Sequence, residues 1–131
     1  MNNKILSFIF ILSLNCLPAQ KKINNSAYHK QSADKMYQLF PTKNFWTFIK
    51  LNTRNGKMWQ VHFAVKEGDN RVILNLNSIS LVAEEKEVNG RFTLYPTENT
   101  YNFLLLDQIE GTAYQVQWSM EENNRGILPI Q

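Results

Sequence analysis

The chain has 131 residues, with 14 basic and 11 acidic side chains and a net charge of +3. That near balance lacks the concentrated basic face of a nucleic-acid binder, and no block of five or six like charges occurs. Cys16 is the only cysteine, which excludes an intrachain disulfide or a multi-thiolate metal site and leaves stability to packing, a demand that sixteen aromatic residues suit.

Taken in chain order, Lys4 and the apolar run at residues 5–14, "ILSFIFILSL", read as the charged and apolar regions of a signal peptide. Ten residues are too few to span a bilayer. Cleavage after Ala19 removes residues 1–19 and leaves 112 residues that start at Gln20, carry a net charge of +2 and lack cysteine. The competing reading is a lipid anchor at Cys16. The larger, polar Asn15 stands where a lipidation signal needs a small residue, which favours simple cleavage. Either reading places the protein outside the cytoplasm, periplasmic or extracellular, with no transmembrane span. Residues 20–35 carry no strong pattern and are expected to stay partly mobile or to form a short helix.

From residue 36 the sequence repeats itself. "FPTKNFWTF" at residues 40–48 returns as "YPTENTYNF" at residues 95–103. Aligning residue 36 with residue 91 gives an offset of 55, falling to 54 after a one-residue deletion in the last loop. Thirteen pairs are identical, among them Pro41/Pro96, Asn44/Asn99, Phe48/Phe103, Gly56/Gly111, Gln60/Gln115 and Val61/Val116. Others keep size and polarity, such as Trp46/Tyr101, Asn52/Asp107, Trp59/Tyr114 and Phe63/Trp118. Turns and aromatics in phase over about forty positions indicate a tandem duplication, residues 36–77 and 91–131.

Each copy reads as β structure. Trp59, Val61, Phe63 and Val65 alternate with Met58, Gln60, His62 and Ala64, and Tyr114, Val116, Trp118 and Met120 alternate in the same phase. That period of two predicts that Trp59 and Trp118 face the core. The preceding strand is apolar on both faces and should sit centrally. Gly56 and Gly111 end the short loops where a hairpin bulge needs positive φ. The strands are expected at about 36–40, 44–52, 57–65, 71–77, 91–95, 99–107, 112–120 and 125–130. Pro129 puts the last strand at an edge, and "AEEKEVNG" between the copies reads as a charged loop or short helical turn. The predicted fold is all-β: two four-stranded antiparallel meanders packed as a pseudo-twofold sandwich or a partly open barrel. Each meander is like one propeller blade, and two blades cannot close a ring within one chain.

Catalytic groupings are not found. His29 and His62 lie apart without a carboxylate motif, and there is no His-x-x-x-His, Cys-x-x-Cys, Gly-x-Ser-x-Gly or phosphate-cradling loop. His62 reads as a solvent-facing or hydrogen-bonded structural residue, and Glu84, Glu85 and Glu87 as a solvated linker. No cofactor or metal is expected. The candidate ligand-binding residues are Trp46, Tyr101, Asn44 and Asn99: rings that can stack on a sugar or peptide, with amides to supply hydrogen bonds.

The phrase Pro-Thr-x-Asn-x-Trp-x-Phe, followed by Gly-x-x-Trp-Gln-Val-x-Phe, resembles a repeat in small uncharacterised secreted β proteins of Bacteroidota. The Ala19-Gln20 junction resembles the cleavage sites of such proteins. The resemblance covers residues 36–131 and implies duplication and β structure, with no activity attached; Thr100 and Ala113 depart from it. Three function classes remain: an exported, non-catalytic domain that binds a protein or glycan; an inhibitor or immunity-type protein that blocks an exported enzyme; and an enzyme with an unrecognised site. Unpaired sheet edges also make a homo-oligomer plausible.

Overall fold

A computed structural model describes residues 35–131, so the expected signal peptide, Cys16 and the segment through residue 34 lie outside the described residues. Eight strands follow in order: β1 Tyr37–Pro41, β2 Thr47–Asn52, β3 Met58–His62, β4 Val72–Asn77, β5 Phe92–Pro96, β6 Asn102–Asp107, β7 Ala113–Gln117 and β8 Gly126–Pro129. They form two antiparallel meanders, β1-β2-β3-β4 and β5-β6-β7-β8, and neither closes into a barrel. The pairing reproduces the duplication residue by residue. Ile49 pairs with Gln60 as Leu104 pairs with Gln115, and Val61 pairs with Ile73 as Val116 pairs with Ile127.

The turns form for the reasons the residues suggest. Gly56 and Gly111 hold φ of 76° and 77°, a left-handed conformation that costs a residue with a Cβ. Asn52 Oδ1 accepts the Arg54 N–H at 3.0 Å, and Asp107 Oδ1 accepts the Ile109 N–H at 2.9 Å. The strands β3 and β7 stop three residues short of the sequence reading, because Phe63 and Trp118 bond back to the Trp46 and Tyr101 carbonyls and the chain then turns away. Between the copies a single 3₁₀ turn, Glu84–Lys86, occupies the charged stretch.

The sheets stack as two layers over one core. Sheet two buries the face the alternation indicates: Phe103, Leu105, Val116 and Trp118, the last only 3% exposed. Sheet one buries the other face. Ile49, Leu51, Met58 and Gln60 are each fully buried, whereas Trp59 is half-buried and Phe63 exposed on the outer side. The expected inward placement of Trp59 is therefore corrected. Matching residues point the same way in both sheets, and the second sheet sits on the first front to back. The physical reason lies in β2: Ile49 and Leu51 line the covered face, whereas Phe48 shares the other face with Lys50, whose ammonium would be costly to bury.

The buried Gln60 makes this arrangement specific. Its Nε2 donates to the Ser119 carbonyl at 2.7 Å, and its Oε1 accepts the Ser119 N–H at 3.0 Å. A primary amide so bonded replaces a missing backbone neighbour, which removes most of the cost of burying it. His62 stands beside it. Its Nδ1 lies 3.0 Å from Thr47 Oγ1, and its Nε2 faces the Gln60 Nε2 at 3.2 Å. Because the Gln60 Nε2 can only donate, the His62 Nε2 must accept, so the neutral ring carries its proton on Nδ1.

Candidate binding surface

The β1–β2 turn and its copy β5–β6 lie at the same end of the sandwich, joined by the Lys43–Glu98 ion pair at 3.2 Å. The repeated Thr-x-Asn phrase is a folding device. Thr42 Oγ1 donates to the Thr47 carbonyl at 2.9 Å, and Asn44 Oδ1 accepts the Trp46 N–H at 2.9 Å. Thr97 and Asn99 repeat both bonds with Asn102 and Tyr101, each at 2.9 Å. The amide oxygens of Asn44 and Asn99 thus close turns, which fixes the orientation of each side chain and takes one of the oxygen's two lone pairs.

The aromatic pair divides. Trp46 packs edge-on against Phe45 at 4.9 Å and against Phe63 at 5.3 Å, and Phe63 continues to Phe48 at 6.0 Å. Phe45 is 77% exposed, Trp46 45% and Phe63 37%, and the neighbouring Val65 is 75% exposed. Trp46, Phe63, Ala64, Val65, Lys66 and Asp69 line an open, mainly apolar cleft of about 560 Å³. Tyr101 instead leans on Trp118 at 5.1 Å, and the Trp118 indole N–H donates to the Thr100 carbonyl at 3.0 Å. With Asn99, Gln117, Ser119 and Asn124 it lines a separate, more polar cleft of about 390 Å³. The structure therefore assigns Trp46 to one cleft and Tyr101 with Asn99 to another, and brings Asn44 into neither.

Further along the outer face of sheet one, the Lys50 ammonium lies 4.4 Å from the Trp59 ring centre and 5.9 Å from that of Tyr37. A cation held over ring faces keeps its charge while its stem covers apolar surface.

The remaining titratable groups serve structure. Burial lowers the His62 pKa below the ordinary 6.5, and the nearby Arg125 cation lowers it further. Glu87 accepts from Asn55 Nδ2 at 3.0 Å and lies 3.8 Å from Arg54, while Glu84 and Glu85 sit exposed in the 3₁₀ turn. No group of three or more His, Cys, Asp or Glu that could hold a metal occurs among the described residues.

A buried ion pair escaped the sequence reading. Arg91 Nε and Nη2 donate to Asp107 at 3.1 and 2.7 Å, with both side chains at least 96% buried. Burial alone would raise the Asp107 pKa; the Arg91 bond and the Ile109 and Glu110 N–H groups outweigh it and hold the pKa low. A signal was present: Arg91 and Asp107 replace Met36 and Asn52 of repeat one together.

No protein-family model, curated protein or solved structure matches the chain. Among the described residues no helix is long and apolar enough to cross a membrane.

Proposed function

We propose that this chain is an exported, non-catalytic binding module of the secreted β-repeat kind, and that it docks a partner protein through Phe45, Trp46, Phe63 and Val65. One observation carries the reading: four large apolar side chains stay exposed together on the rim of a packed sheet. Such clusters of rings with apolar bodies favour protein partners. A glycan would ask for several convergent hydrogen-bonding groups, and the lining of this cleft is mainly apolar. The more polar Tyr101 cleft, with Gln117, Ser119 and Asn124, supports a glycan as the second reading.

The test is a native pull-down from the cell envelope and culture medium of the producing cells, with intact-mass analysis of the recovered chain. A partner lost on Phe45→Ser and on Trp46→Ala, but retained on Tyr101→Ala, supports the protein reading. Loss only on Tyr101→Ala, with sugar-dependent tryptophan fluorescence, moves the site to the second cleft. A captured enzyme that loses activity one-to-one would define the partner class as an inhibited enzyme. A mass that begins at Gln20 supports export by simple cleavage, and a lipid-modified Cys16 replaces it with anchoring.

A further inference from the structure

We propose that copies of this chain associate head to tail, the outer face of sheet one on the outer face of sheet two of the next copy, repeating the contact that already joins the two sheets. The two repeats present equivalent faces. The buried face of sheet one carries Phe40, Ile49, Leu51, Gln60 and Leu74; at the matching positions, the outer face of sheet two carries Tyr95, Leu104, Leu106, Gln115 and Leu128. The buried face of sheet two carries Leu94, Phe103, Tyr114, Val116 and Trp118; matching it, the outer face of sheet one carries Leu39, Phe48, Trp59, Val61 and Phe63. Each outer face is thus a version of a surface that the molecule already knows how to cover, and the chain holds both halves of the contact. Tyr95, Leu104 and Leu128 are exposed, as are Leu39, Phe63 and Ile73.

The specific bond carries over as well. Gln60 clamps the backbone of Ser119; the matching pair is Gln115 and Ala64. Gln115 is exposed. The Ala64 carbonyl already accepts Arg71 Nε at 3.1 Å, and its second lone pair is open to an amide. Three positions depart from the pattern: Ala113 and Gly126 stand where sheet one has Met58 and Val72, and Lys50 stands where sheet two has Leu105. Lys50 is the charged one. Its place over the Trp59 and Tyr37 rings lets its stem join the contact while the ammonium stays near the rim, at a cost that weakens the association.

A contact between unlike faces leaves both faces free at the ends, so it must close into a ring or continue. Sheets stacked front to back around an axis close at about four to eight blades, which corresponds to about two to four chains of two sheets each. The stack leaves the Phe45–Trp46 rim uncovered, just as Tyr101 stays exposed beside the existing contact. The stack would cover Phe63 and Ala64 of the cleft as Trp118 is covered within the chain, so Phe45 and Trp46, which stay outside it, are the positions that tell docking from self-association.

The experiment uses the full chain with Cys16→Ser, so that no native thiol competes. Chains with Ala64→Cys and chains with Gln115→Cys are mixed and treated with a short thiol cross-linker, alongside native mass spectrometry of the parent chain. The expected result is a mixed cross-link between the two variants, little self-linking of either one, and a parent species of two to four chains. Leu104→Asp, an exposed position that leaves the monomer folded by near-ultraviolet circular dichroism, should remove the species. Lys50→Leu, which copies Leu105, should tighten association at least tenfold. Self-linking of Ala64→Cys alone, or a parent chain and Lys50→Leu variant that both stay monomeric at 100 micromolar or about that, overturns the proposal. Phe45→Ser should leave the association intact while it removes partner capture, and Leu104→Asp the reverse, so the two readings fail separately.

Discussion

Sheet one and sheet two share strand order, turn chemistry and a third of their residues, yet they bury opposite faces and use different polar devices. In sheet one the inner face carries an amide and a histidine, Gln60 and His62, between Ile49, Leu51 and Met58. In sheet two the inner face is wholly apolar along β6 and β7 until Asp107, which is neutralised by Arg91. Two nearly identical strands can thus be turned in or out according to what lies across from them. A polar residue is tolerated inside wherever the neighbouring sheet supplies its partners. The comparison also explains why Gln60 and Gln115, identical residues at identical register, have such different surroundings.

The largest expected effect breaks the comparison at its charged end. Asp107→Ala removes the buried partner of Arg91 and leaves it the exposed Glu110 carboxylate and the Lys86 carbonyl, and should lower stability toward the lower end of about 3–5 kcal/mol. Asn52→Ala, its counterpart, removes one turn bond and should cost about 1 kcal/mol. Urea unfolding of the two variants measures the difference, and equal losses would show that the ion pair adds nothing beyond the turn.

Next come the hairpin glycines. Both hold positive φ, so Ala at Gly111, which meets open space, should cost about 1–2 kcal/mol. A Cβ at Gly56 would lie 2.5 Å from Leu81 Cδ1, so Gly56→Ala should cost about 2–4 kcal/mol. Equal thermal shifts for both would mean that the Leu81 side chain simply swings aside.

The glutamines give the sharpest contrast at moderate size. Gln60→Ala strands the Ser119 N–H and should cost about 1–3 kcal/mol, whereas Gln115→Ala should stay within about 0.5 kcal/mol in the monomer. Measured at dilution, comparable losses at both sites would contradict the front-to-back stacking.

The smallest effect is a pH dependence. The folded state holds His62 with a pKa below the unfolded 6.5, so the unfolded chain takes up a proton first as the pH drops. Stability should be unaffected by His62 above about pH 6.5 and fall as pH decreases through that value. His62→Gln, the residue found at Gln117, should flatten the slope in this window; an unchanged slope would assign it to other groups.

Much of the fold was legible in the residues. The doubled phrase, the period-two alternation and the glycines located eight strands and their turns to within three residues, because backbone chemistry at a turn is local. The bonds that Thr42, Asn44, Thr97 and Asn99 make in their turns are local in the same sense. The candidate site was legible only in part. Trp46 and Tyr101 are exposed rings, as the sequence suggested, but they belong to separate clefts, and the amide oxygens of Asn44 and Asn99 are occupied by turn bonds. The cluster of Trp46 with Phe63 depends on where the chain leaves β3.

What the sequence alone determined is the repeating unit: its strands, their order and the hairpin turns between them, all set by interactions among residues close in the chain. Which face of each unit is covered was decided only in the tertiary structure. A strand such as β6, with Phe103 and Leu105 on one side and Leu104 and Leu106 on the other, gains about as much from burying either one. The choice falls to a contact between distant residues, here Gln60 meeting the backbone of Ser119 across the core.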